Sequence, residues 1–136
     1  MGAAAIVPFV TGRELDAATG GEAHEAGAVF ELRIYHCFEG KLEPLLNRFR
    51  TKETKIFERL GMHGVGYWTP TDEPLKGKTL VYMLRHKSRE AATASWDKFK
   101  DDPEWVKLKA ESEAGGAFVE KHESTFMALT DFSLWV

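Results

Sequence analysis

Three side chains able to move a proton or hold an anion alternate along one short stretch: Glu31, Arg33 and Tyr35, within Val29 to His36. Alternation by two places them on one face of a β-strand and Phe30, Leu32 and Ile34 on the other. The stretch Thr79 to His86 repeats the pattern, with Tyr82, Leu84 and His86 on one parity and Val81 and Met83 on the other. Side by side, the two strands supply an acid, a cation, two phenols and an imidazole, enough for a proton shuttle or an anion clamp. In that reading Arg33 holds a carboxylate or enolate oxygen, His86 or Glu31 is the base, and Tyr35 or Tyr82 donates a hydrogen bond. These are the candidates for catalysis. With Tyr67 and Trp68 from another strand, Glu31, Arg33, Tyr35, Tyr82 and His86 are also the candidates for holding a ligand. A plainer reading stands beside it, in which Glu31 and Arg33 pair with each other or across the sheet and serve only to satisfy it.

Other chemistry has less support. His24, His36, His63, His86 and His122 show none of the spacings that make a metal site legible, so no metal is assigned. His36 and His86 read as lying near the same end of adjoining parallel strands, on opposite faces. Cys37 has no second cysteine with which to form a disulfide or a CxxC pair. There is no Gly-rich phosphate loop and no Ser nucleophile elbow, and no cofactor is expected.

The elements that must position these groups follow from periodicity and caps. Lys41 to Leu60 carries Leu42, Leu45, Leu46, Phe49, Ile56, Phe57 and Leu60 at helical spacing, with Pro44 in its first turn and Gly61 beyond its end. Glu53 projects from the middle of that apolar stripe. There a carboxylate needs a partner or a proton, unless this turn overhangs solvent, which is the expected case. Met62 to Thr69 is a strand in which Gly64 and Gly66 permit a bulge or a close approach. Pro70 to Lys78 is a turn leading to the strand Thr79 to His86. Ser88 caps a helix to about Lys100, and Asp102 with Pro103 starts another that runs to about Glu113. Trp96 and Trp105 occupy core positions of these helices. Glu123 to Leu129 reads as the last strand.

At 136 residues, 43% hydrophobic and 29% charged, the chain has the balance of a globular protein. A net charge of -3 without a Lys/Arg cluster excludes the footprint of a nucleic-acid binder. Residues 1–27 are Ala- and Gly-rich, with an apolar run from Ala3 to Val10 that is too short to span a bilayer. They read as a flexible leader or as the remnant of an export signal, and the folded domain as 28–136. The expected compartment is the cytoplasm, or the periplasm if the leader is a signal remnant.

Strand, helix, strand, strand, helix pair, strand is a ferredoxin-like α+β order, a four-stranded antiparallel sheet with helices on one face. The other face, expected to carry Tyr35 and Tyr82, needs a cover. A second copy of the sheet provides one, which predicts a homodimer. Glu31-Leu32-Arg33-Ile34-Tyr35, Gly66-Tyr67-Trp68, Asp102-Pro103-Glu104-Trp105 and Glu123-Ser124, in this order over about Val29 to Phe132, resemble the NIPSNAP family. The resemblance implies a dimeric α+β barrel, in which two such sheets face one another and each encloses a cavity. The wider superfamily includes cofactor-independent monooxygenases, haem-degrading enzymes, dehydratases and isomerases. The NIPSNAP branch looks more like binding or adaptor proteins, here of a bacterial type. Two functional expectations follow: a protein that binds a small hydrophobic or aromatic molecule or a protein partner, or a cofactor-independent oxygenase or proton-transfer enzyme. A cavity of about 300 Å³ or more would favour a ligand, and a packed interior would favour an adaptor.

Overall fold

A computed structural model describes residues 27–133, so the expectations for the leader lie almost wholly outside the described residues. The strands are β1 (Val29–Cys37), β2 (His63–Trp68), β3 (Thr79–His86) and β4 (Val119–Met127). They form one antiparallel sheet in the order β2-β3-β1-β4. Three helices complete the ferredoxin-like α+β fold. The first is wound in three parts, α1 (Leu42–Arg48), a π-helical turn (Phe49–Glu53) and α2 (Thr54–Arg59); the others are α3 (Arg89–Asp101) and α4 (Pro103–Ser112).

The expected caps are formed. The Ser88 hydroxyl accepts from the Ala91 N–H at 2.9 Å and opens α3, and Asp102 accepts from the Trp105 N–H at 3.1 Å with Pro103 at the first position of α4. The bulge in β2 falls between Gly64 and Gly66. A Cβ at Gly64 would collide with the Tyr67 ring, and one at Gly66 with the Trp68 ring, so both glycines make room for a neighbouring aromatic.

The helices pack on the sheet face that carries Tyr35, Leu80, Tyr82 and Leu84, where Leu45, Phe49, Ile56, Phe57 and Phe99 complete the core. This corrects the expected sidedness. Glu31, Arg33, Tyr35, Tyr82, Leu84 and His86 do share a face, but it is the one under the helices. Leu32, Ile34, Val81 and Met83, in the facing pairs Leu32–Met83 and Ile34–Val81, lie on the side the helices leave open. The ionic groups tolerate burial because they neutralise and hydrogen-bond one another. Tyr67 faces Tyr82 across the ladder and Trp68 faces Val81, so these two aromatics divide between the faces. His36 and His86 sit on opposite faces as read, but β1 and β3 are antiparallel. His36 pairs with Thr79 and Val29 with His86, which puts the two histidines at opposite ends.

Candidate functional site

Glu31 is the anchor of the buried polar layer, at 1% exposure. Its Oε1 accepts from His86 Nε2 at 2.8 Å and from Trp96 Nε1 at 2.9 Å, and its Oε2 from Arg33 at 2.8 Å and Ser124 Oγ at 2.6 Å. Burial alone would raise this carboxyl, but hydrogen bonds from His86, Ser124, Trp96 and Arg33 outweigh it and hold the pKa at about 2. A carboxylate with four donors is a structural acceptor rather than a base. Because it only accepts, His86 donates to it from Nε2, and the buried Nδ1 has no partner among the described residues.

Arg33 is equally engaged. Its Nε donates to the Tyr82 hydroxyl at 2.9 Å, one terminal nitrogen to Glu31 and the other to the Tyr35 hydroxyl at 3.2 Å, while the guanidinium stacks 4.2 Å from the Trp96 ring centre. Three of its five N–H groups thus donate to protein groups. The Tyr82 and Tyr35 oxygens are 2.8 Å apart. Tyr82 is wholly buried and has no other acceptor, so its proton goes to Tyr35. The Tyr35 oxygen then accepts twice, and its own hydroxyl hydrogen has no acceptor among the described residues. Burial pushes the pKa of both phenols up, so both keep their protons at neutral pH.

The first helix brings the second set of charges. Arg48 and Glu53 are buried and meet at 2.8 Å through Nε and Oε1. They are five residues apart, a spacing that the i→i+5 winding of the π-turn stacks on one face. Arg48 also donates to Glu113 at 2.7 Å and to Ser112 Oγ at 3.0 Å, which ties the π-turn to the end of α4. The bond to Arg48 is the only hydrogen bond Glu53 makes among the described residues. Burial pushes its carboxyl up; Arg48 pulls it back only in part, and Glu113 adds repulsion, leaving the pKa at about 7. The expectation that this turn overhangs solvent is therefore corrected: Glu53 is 1% exposed and has taken a cation as partner.

Between the π-turn, α4 and the β1–β4 side of the sheet lies a cavity of about 250 Å³, lined by Arg33, Tyr35, Arg48, Glu53, Trp105 and His122 among others. Of the residues expected at a site, Arg33 and Tyr35 reach it. Glu31 and Tyr82 lie one layer beneath, bonded to those two. His86 sits beyond Glu31, next to the Phe126 ring at 5.9 Å. Tyr67 stacks on Tyr82 at 5.5 Å, and Trp68 is on the open face. Sequence reasoning left Arg48, Glu53 and His122 off the site. The carboxylate interrupting an apolar stripe was the signal for Glu53; Arg48 carried none, because an α-helical wheel does not align i with i+5. The described residues hold no group of three or more His, Cys, Asp or Glu able to bind a metal ion, and no helix among them is long and apolar enough to cross a membrane.

Sheet order and helix placement define a ferredoxin-like α+β protein, with a pocket between the helices and the β1–β4 side of the sheet. The NIPSNAP family model matches residues 30–134, and the chain belongs to the NIPSNAP family. No curated protein matches the sequence. Among solved structures, a NIPSNAP domain protein from Burkholderia xenovorans is similar at 20% identity and TM-score 0.66, over 78% of this chain and 98% of that one. A NIPSNAP family protein from Agrobacterium tumefaciens is similar at 23% identity and TM-score 0.67, over 78% and 96%. SnoaB, a cofactor-independent oxygenase from Streptomyces nogalater, shares the fold at 12% identity and TM-score 0.53, over 78% and 96%. At these identities the likeness to solved structures is one of fold.

Proposed function

We propose that the chain binds a small, uncharged aromatic or apolar molecule bearing a hydroxyl or carbonyl group in the cavity between the π-turn and the sheet. The observation that carries this is a 250 Å³ cavity lined by both Tyr35 and Glu53, where the Tyr35 hydroxyl hydrogen has no acceptor among the described residues. Trp105, Phe99 and the Tyr35 ring give that wall an aromatic surface. Arg48 is already balanced by Glu53 and Glu113, and Arg33 by Glu31, so an uncharged ligand leaves no ion unpaired. The volume lies just below the usual range for drug-sized ligands and suits a molecule of one or two rings.

Trp105 lines the cavity and reports on it. Titration with 2-naphthol is expected to change tryptophan fluorescence saturably, a change that Trp105→Phe reduces, and Ala117→Leu, which narrows the cavity from its wall, to abolish the change. Binding that survives Ala117→Leu would place the ligand elsewhere.

A second copy of the chain is proposed as the cover of the open sheet face. Leu32, Ile34, Val81 and Met83 form an apolar centre on that face with Trp68, 52% exposed, beside them, and Arg85 and the His36–Glu123 pair lie around it; the apolar centre gains by leaving water. The two sheets would then pack face to face, away from the cavity of each copy.

A further inference from the structure

We infer that Tyr35 and Glu53 form a donor and base pair that enolises a small ketone held in the cavity. This rests on the ligand-binding reading above and adds the substrate class and the reaction. Among the described residues, one wall, β1, offers a hydroxyl hydrogen with no acceptor; the facing wall, the π-turn, offers a carboxyl whose single hydrogen bond runs from Arg48 to Oε1 and leaves Oε2 without a partner. Phe49, at the start of the same turn, packs edge-on against Tyr35 at 6.1 Å between ring centres and fixes one wall against the other. A ketone with its oxygen at Tyr35 presents its α-carbon toward the π-turn.

In the forward step an oxygen of ionised Glu53 takes the α-proton. The C–H electron pair becomes the new C=C bond, and the carbonyl π pair moves onto oxygen. The resulting enolate oxygen accepts from the Tyr35 hydroxyl. Arg33 and Tyr82 both donate to the Tyr35 oxygen, which polarises its O–H bond and makes it a stronger donor to the developing charge. Protonated Glu53 then returns the proton to the same carbon, or to the far carbon of a conjugated system, giving exchange or isomerisation with no further reactant.

Three other groups of the cavity lining compete for the role of base. Glu113 is held by Arg48 at 2.7 Å, and Glu120 and His122 sit on an exposed part of β4, the His122 ring 6.2 Å from that of Tyr35. Glu53 alone combines burial with an oxygen free of hydrogen bonds. The titratable and charged groups around it are Arg48 on its own helix, Lys109 on α4 and Glu113 after it, Arg33 and Tyr35 on β1, Tyr67 on β2, Tyr82 on β3, and Glu120, Lys121 and His122 on β4. Their balance, with burial dominant, leaves Glu53 at about 7, where a base works best near neutral pH.

Deuterium uptake at C2 of 1-tetralone in D2O, followed by proton NMR, tests the inference, with binding of the same ketone read in parallel from tryptophan fluorescence. Wild-type protein is expected to accelerate uptake over buffer, with a pH profile rising through about 7. Glu53→Gln, whose amide oxygen can still accept from Arg48, is expected to bind the ketone and lose about 100-fold of the acceleration. Glu53→Asp is expected to fall between the two, and Tyr35→Phe to lose about 100-fold. The inference is overturned if the ketone binds without accelerated exchange, if Glu53→Gln exchanges like wild type, or if His122→Asn removes the acceleration and Glu53→Gln does not. Absence of any binding by 1-tetralone and 2-naphthol would instead overturn the ligand-binding reading, and this inference with it.

Discussion

Arg48 and Glu53 meet at 2.8 Å although five residues separate them, because the helix between them is wound as a π-turn. The extra residue of that turn rotates α1 relative to α2, bringing Arg48 under the cover of α4 and aiming Glu53 at the same cavity as Tyr35. The two buried glutamates consequently sit in opposite electrostatic settings. Glu31 has four donors and lies low; Glu53 has one cation and lies high.

That contrast gives stability two slopes with pH. The folded pKa of Glu31, about 2, is below the ordinary 4.5, so its contribution is present above 4.5 and is lost as pH falls toward 2. The folded pKa of Glu53, about 7, is above 4.5, so its contribution is present below 4.5 and is lost as pH rises through 7. Urea unfolding should show greatest stability near pH 5, with Glu53 responsible for a fall of about 3 kcal/mol by pH 8. In Glu53→Gln that fall should vanish, and at pH 8 the variant should be the more stable protein.

Removing the other glutamate should do the reverse. Glu31→Gln leaves Arg33 buried without its counter-charge, and its amide hydrogens oppose the donors from His86, Trp96 and Ser124. Loss of about 3–5 kcal/mol at pH 7 is expected in denaturant titrations.

The π-turn itself can be tested by shortening it. Deleting Lys52, which is exposed and makes no side-chain hydrogen bond or ion pair among the described residues, turns Arg48 and Glu53 into an i, i+4 pair that still meets on one face of an α-helix. The variant should keep its far-UV circular dichroism and unfold cooperatively. A collapse of structure would mean that the wide turn is needed for packing and not only for placing the pair.

For the open face, Val81→Glu puts a charge among Leu32, Ile34 and Met83. Sedimentation equilibrium should show a dimer for the wild type and a monomer for the variant, with 2-naphthol binding retained because the cavity is on the other side of the sheet.

Much of this fold was legible because its signals are local. Ser88, Asp102 and Pro103 mark helix starts, and period-two alternation marks β1 and β3. Sidedness was not local. Both parities of β1 carry residues that suit burial, and the polar parity looks like an outer face until its partners are known. Those partners, Tyr82, His86, Trp96 and Ser124, lie 49 to 93 residues away along the chain and on other elements. Glu53 was visible as an irregularity in an apolar stripe, but its cation was hidden by the π-turn, which periodicity does not announce.

The most direct test of the central claim is chemical-shift mapping of isotope-labelled protein during titration with 2-naphthol. The account predicts the largest changes at Tyr35, Glu53, Trp105 and His122 around the cavity. Changes centred instead on Leu32, Ile34, Trp68, Val81 and Met83 would place the ligand on the open sheet face and contradict it.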